Sequence, residues 1–350
     1  MNHEPCMLAC DYQETACEQI IQALANSQNT NYTGYGTDVI TKRAKDKIRQ
    51  AIETPDAEIE FLIGGTQTNQ VVIGALLASY QGVIAADTGH VAVHEAGAIE
   101  ITGHKVLALP SRDGKISAKN LETYMETFEN DGNKDHMVMP GMVYLSQPTE
   151  FGTLYSKQEL TEIMAICQSH DLKLYIDGAR LAYALAAPEN DVSLPDLAQL
   201  CDVFYIGGTK CGAMFGEAVV VPDPKLIPHF FTIIKQRGAL LAKGWLLGIQ
   251  FDQLFSDNLY QKLAEPAIKQ ANQIRKALTT NGYQLLYSSP TNQTFFIMDN
   301  QDLPDFGQKV GYSFWDKYDD RRTIIRLATS WSTSQDDVDQ VCAILADFKK

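Results

Sequence analysis

The chain has 350 residues, enough for one large α/β domain with a smaller companion and a sizeable buried core. Its 29 basic and 43 acidic residues leave a net charge of −14, which argues against nucleic acid or an anionic membrane surface as a partner. A hydrophobic fraction of 45% beside 21% charged residues excludes the composition of a disordered chain.

The first eleven residues carry Glu4 and Asp11 and lack the basic start and apolar run of a secretory signal. A helix is expected over residues 15–27, followed by a polar loop over 28–37 rich in Asn, Thr, Tyr and Gly. From residue 58 short apolar strands alternate with amphipathic helices. Strands are expected at 60–63, 83–86, 105–109, 142–145, 172–176, 203–206 and 218–221. Helices are expected at 66–80, 118–128 and 156–170, with a turn of helix near 93–98 and a helical crossover within 181–200. That alternation predicts a mostly parallel sheet. Pro222 and Pro224 break the chain before a helical stretch to about residue 237, and residues 244–280 read as helical throughout. Strands at 283–286, 294–297 and 324–328, beside helices at 304–310 and 336–349, form a small α+β unit. The longest apolar candidate, residues 70–80, contains Gly74 and falls short of a membrane span. Seven scattered cysteines without CxxC pairs fit reduced thiols, so a cytoplasmic protein without a metal cluster is expected.

Two strand ends carry the chemistry. The strand ending at Ile176 runs into Asp177-Gly178-Ala179-Arg180, which places a carboxylate and a guanidinium where open α/β sheets bind ligands. The plainer alternative is an Asp that caps the next helix, with Arg180 on its surface. The strand ending at Ile206 runs into Gly207-Gly208-Thr209-Lys210-Cys211-Gly212, where flanking glycines allow close backbone approach to a ligand. Taken alone, Lys210 would read as a solvated surface residue. If the two strands are parallel neighbours, Asp177 and Lys210 face one pocket, as pyridoxal phosphate requires: a lysine for a Schiff base and a carboxylate for the pyridine nitrogen. Gly64-Gly65-Thr66 opens an apolar helix and offers backbone N–H groups to a phosphate, or else is a tight turn with a Thr cap. His90, after the next strand, is placed to stack on a pyridine face or to serve a structural role.

These motifs, with Tyr35-Gly36-Thr37-Asp38, Asn69, Glu95-Ala96-Gly97-Ala98 and Ile325-Arg326-Leu327-Ala328-Thr329, resemble those of the threonine aldolases and related β-eliminating lyases. The resemblance runs from Asp11 to about Ser332. It implies the fold type I, PLP-dependent transferase-like architecture: a seven-stranded, mainly parallel large domain with a smaller α+β carboxyl-terminal domain. The implied division is an amino-terminal segment 1–29 packing on the small domain, a large cofactor-binding domain 30–255 and a small domain 256–350. By the same resemblance Lys210 is the Schiff-base lysine, Asp177 the pyridine-nitrogen partner, His90 the stacking ring, and Gly65 with Thr66 the phosphate ligands. Arg180 would reach the cofactor's phenolic oxygen or the substrate carboxylate, and Arg326 would clamp that carboxylate in two-pronged fashion.

The chain departs from the family at several points. Family aldolases commonly carry Glu-Asn-Thr-His where this chain has Leu145-Ser146-Gln147-Pro148, so the second active-site histidine is absent. The hydroxyl proton of a β-hydroxy amino acid must then pass to His90, Glu150, the cofactor phosphate or water. Lys243 stands near the place of a family arginine that meets the phosphate from a neighbouring subunit, and Cys10 stands for a family serine. The expected activity is retro-aldol cleavage of a β-hydroxy-α-amino acid to glycine and an aldehyde, in a homodimer or homotetramer with the site at a subunit interface. The rival chemistry is β-elimination to ammonia and a 2-oxo acid, with transamination behind it. A non-catalytic α/β binding module is the rival from another class.

Overall fold

Continuous apolar runs at positions 83–86, 142–145, 174–176 and 203–206 suit strands buried on both faces. The computed structural model, which describes residues 5–348, folds them so. In chain order the strands are β1 (Cys6–Met7), β2 (Glu58–Leu62), β3 (Gln81–Ala86), β4 (Val106–Leu109), β5 (Met139–Ser146) and β6 (Lys173–Asp177). They continue with β7 (Val203–Gly207), β8 (Glu217–Val221), β9 (Gln293–Asp299), β10 (Val310–Gly311), β11 (Ser313–Lys317) and β12 (Arg322–Ala328). Seven form one sheet in the order β2-β8-β7-β6-β5-β3-β4. Only β8 runs against its neighbours, so the carboxyl ends of β2 through β7 all lie on one edge. Because β8 is reversed, Glu217 at its amino end joins that same edge.

Alternation along each strand divides the core in two. Val143, Leu145, Leu174, Ile176, Phe204 and Ile206 face one layer of helices. Tyr144, Tyr175 and Tyr205 face the other, against the helix Gly65–Leu76. Asp177 shares the parity of Tyr175, which puts the carboxylate on the tyrosine face. A third cluster joins Cys6 and Leu8 to Ile274, Phe296, Ile325 and Val341, beneath the antiparallel sheet β11-β12-β9. The amino-terminal segment thus divides: β1 pairs with β10, whereas Cys17 and Ile20 join the large core.

The structure departs from the sequence reading in a few places. A helix at Val39–Ala51, which the reading left unassigned, is capped by Asp38, whose carboxylate accepts from the Ile40 and Thr41 amides at 3.0 and 2.8 Å. The turn of helix expected near 93–98 lies earlier, at His90–Val93, and left-handed Ala96 and Gly97 follow it at φ 51° and 76°. The stretch 244–280 is two helices, Trp245–Leu254 and Leu259–Thr280, parted by left-handed Asp257 and Asn258. Residues 283–286 form no strand and keep one bridge, Leu285 to Phe296. The final helix ends at Asp347 in place of 349, and Lys349 itself lies outside the described residues. No helix among the described residues is long and apolar enough to cross a membrane.

Candidate active site

The loops after β6 and β7 interlock. The Gly207 amide donates to the Gly178 carbonyl at 3.0 Å, and a Cβ on Gly178 would drive into the Tyr205 carbonyl oxygen. A Cβ on Gly207 would likewise strike Ala179. Both glycines are there because the two strand ends touch. The Tyr183 hydroxyl donates to the Lys210 carbonyl at 2.7 Å and fixes the backbone of that lysine. Gly178→Ala should therefore part the loops and cost about 1–3 kcal/mol, read as a lower urea midpoint at unchanged slope.

Asp177 is buried, and its carboxylate gathers donors from three elements. The Tyr144 and Tyr205 hydroxyls donate at 2.5 Å each, the Ala179 amide at 3.0 Å and the Asn69 side-chain amide at 3.3 Å. Asn69 also donates to Glu95 at 2.6 Å, and Glu95 in turn holds His90 Nδ1 at 2.8 Å. One network therefore links His90, Glu95, Asn69 and Asp177. Glu95 Oε2 is buried without a partner among the described residues. The two tyrosines escaped the sequence reading, although alternation on β5 and β7 places both on the face of Asp177.

Lys210 lies between opposed charges. Burial and then Arg180 push its pKa below the ordinary lysine value, against Asp11, Asp177 and Glu217. Its ammonium makes no hydrogen bond or ion pair to a described residue and sits 5.8 Å from the Tyr12 ring centroid. Glu217 braces the loop behind it, accepting from the Gly208 amide at 3.1 Å and the Thr209 hydroxyl at 2.8 Å. Burial pushes the Glu217 carboxyl up to about 8, against the pull of Thr209 and Lys210.

Arg180 is committed to Asp11 through two bonds of 2.7 and 3.0 Å. Burial opposes the Asp11 charge, but Arg180 and Lys210 outweigh it and hold the carboxyl well below the usual range. Arg326 reaches no carboxylate. It donates to Gln293 at 3.0 Å and to the Ala9 carbonyl and Ser313 hydroxyl at 3.1 Å, and its Nε is buried without a partner among the described residues. Burial, then Arg180, lowers its pKa to about 10. A buried guanidinium without a counter-charge is a ready seat for a carboxylate.

Gly65 begins its helix beside this network: a Cβ there would come 3.0 Å from the Tyr205 hydroxyl, the group that bonds Asp177. Thr66 is exposed and Gly64 faces open space. A free helix amino terminus, a buried carboxylate, an unpaired amine and an unpaired guanidinium thus converge at one sheet edge. This donor set fits pyridoxal phosphate, with its anionic tail, basic ring nitrogen and aldehyde.

Sheet order and strand-end site define the fold type I, PLP-dependent transferase-like class. A Thermus thermophilus aspartate aminotransferase shares that fold at 14% identity with a TM-score of 0.73, covering 98% of this chain and 91% of that one. The family model described as beta-eliminating lyase matches residues 8–299, and the chain belongs to that family of lyases. It is similar throughout to the Leishmania major threonine aldolase, at 41% identity and a TM-score of 0.95 over 98% of this chain and 99% of that one. The low specificity L-threonine aldolase of Pseudomonas aeruginosa is 28% identical over 344 residues, 97% of this chain and 96% of that protein.

Proposed function

We propose that the protein cleaves a β-hydroxy-α-amino acid, threonine or allo-threonine, to glycine and an aldehyde with pyridoxal phosphate as cofactor. The observation that carries this reading is the interlock of the Asp177 and Lys210 loops, which sets a buried carboxylate and an unpaired amine at one edge. When bound, the cofactor supplies the electron sink for the bond broken at Cα. Lys210 would hold its aldehyde carbon, Asp177 its ring nitrogen, and the Gly65 and Thr66 amides its phosphate. His90, oriented by Glu95, would lie against the ring. Arg326 would bind the substrate carboxylate in two-pronged fashion and so fix which bond at Cα stands perpendicular to the ring. Arg180, held by Asp11, would keep a cationic edge near the same carboxylate or the phenolic oxygen.

The comparisons favour aldol cleavage over β-elimination, since threonine aldolases match nearly the whole chain at 28–41% identity. We further propose a large domain over residues 30–255 and a small one over 256–350, in a homodimer or homotetramer whose site lies at a subunit interface. Exposed apolar side chains such as Val39, Ile101 and Tyr80 support association. Seven free cysteines support a reducing, cytoplasmic location.

The product assay decides the reaction. Purified protein with pyridoxal phosphate is given allo-threonine, phenylserine, serine and cysteine. Glycine plus the matching aldehyde is expected from the first two. Ammonia and a 2-oxo acid as main products would sink the aldol reading in favour of elimination.

A further inference from the structure

We propose that His94 takes the β-hydroxyl proton as the Cα–Cβ bond of the substrate breaks, a step that rests on the aldol reading above. Cleavage requires such an acceptor, and the stretch 145–148 carries no histidine to serve. The side chains His90 and Glu150 are each partly engaged. His90 Nδ1 is bonded to Glu95 at 2.8 Å, and the ring's place is against the cofactor. Glu150 Oε1 already accepts from the His90 amide at 2.8 Å and from Ser146 at 2.7 Å.

His94 lies one turn beyond His90, and its side chain makes no hydrogen bond to a described residue. Its ring centroid is 5.7 Å from that of His90 and 6.2 Å, edge-on, from that of Trp315. The Arg326 guanidinium lies 5.4 Å from the same Trp315 ring. The exposed imidazole therefore stands between the proposed ring-stacking histidine and the proposed carboxylate seat, where a substrate anchored on Arg326 would carry its Cβ substituent. The charged groups that face it are His90 from its own turn, Arg326 from β12 and Lys210 from the loop after β7. Burial first, then His90, Arg326 and Lys210, push its pKa below the ordinary histidine value, which favours the neutral ring that can accept a proton at pH 7.

The step balances within the substrate. The imidazole takes the hydroxyl proton, and the O–H electron pair becomes the second C–O bond of the aldehyde. The Cα–Cβ pair remains with Cα, which gains one proton to become glycine. The proton lost at oxygen equals the proton gained at carbon, and His94 is restored by passing its proton on.

The test compares two reactions of the pyridoxal-phosphate-loaded protein, in wild type, His94→Asn and His94→Gln. Cleavage of allo-threonine needs a hydroxyl proton acceptor. Exchange of the glycine α-proton with solvent deuterium, followed by NMR, needs the cofactor, Lys210 and the carboxylate clamp but no such acceptor. Cleavage should fall by about 10²-fold or more in both variants, while glycine exchange and glycine affinity, read from the visible absorbance, stay within about twofold. The acid limb of kcat/KM for cleavage should vanish with the imidazole. Equal losses in both reactions, or cleavage kept within about threefold, would overturn the assignment. A wild type that exchanges glycine yet cleaves no β-hydroxy amino acid overturns the aldol reading and this step with it; cleavage unchanged by either substitution overturns this step alone.

Discussion

Lys210→Ala should abolish cleavage, with a loss of at least about 10³-fold, and should remove the yellow colour of the loaded protein. Borohydride treatment of wild type should fix the chromophore covalently at position 210, and the variant should show no adduct in peptide mass spectrometry. The reason lies in the charges around the amine. Lys210 makes no ion pair with a described residue, yet Asp11, Asp177 and Glu217 all act on it, while burial and Arg180 weaken its hold on a proton. An amine so placed gives up its proton more readily than an ordinary lysine and can attack an aldehyde. The backbone of residue 210 is held by Tyr183, whose bond goes to the carbonyl, so alanine should leave the loop in place. A small free amine such as methylamine should then restore part of the rate by occupying the vacated space. A variant that stays yellow, or a wild type from which borohydride yields no adduct at 210, would contradict the proposed role.

The large sheet was legible in the sequence because its strands are buried on both faces and read as apolar runs between glycine-rich turns. Asp177 and Lys210 were legible for the same reason: each follows a strong strand directly, so chain direction alone sent both to one edge. The contacts that shape the site were harder to read. Tyr144 and Tyr205 look like core aromatics until strand register shows them on the face of Asp177. Asp11 and Arg180 are 169 positions apart, and no local pattern predicts their pairing. Trp315 lies on β11, an exposed edge strand with a register shift between Phe314 and Asp316, and its alternation was too irregular to find. His94 was hard to place, since a turn of helix near 93–98 does not fix where its ring lies. The turn ends at Val93, with the left-handed Ala96-Gly97 pair just beyond, and the imidazole is left exposed.

Asp177→Asn should reduce cleavage by about 10²- to 10³-fold with little change in fold. The carboxylate accepts from Tyr144 and Asn69 on one oxygen and from Tyr205 and Ala179 on the other. An asparagine keeps one acceptor oxygen and turns an NH2 group toward the other pair, so one tyrosine hydroxyl must rotate and become an acceptor. Tyr144 can do so, because the Ser146 hydroxyl 3.4 Å away can accept its proton while itself donating to Glu150 at 2.7 Å, and the Asn69 amide that loses its 3.3 Å acceptor keeps its 2.6 Å bond to Glu95. The packing is thus preserved while the negative charge is lost. Without that charge the cofactor's ring nitrogen would lose the proposed contact that keeps it protonated, and the ring would draw electrons from Cα less strongly. The loss should fall on kcat for cleavage and on glycine α-proton exchange alike, in contrast to His94→Asn, which should separate them. Cofactor should still bind, because Lys210, Gly65 and Thr66 are untouched, and its visible absorbance should shift with the change in ring protonation. Should Asp177→Asn cleave allo-threonine at the wild-type rate with an unshifted spectrum, the carboxylate would be a structural partner of two tyrosines and not the ring-nitrogen contact.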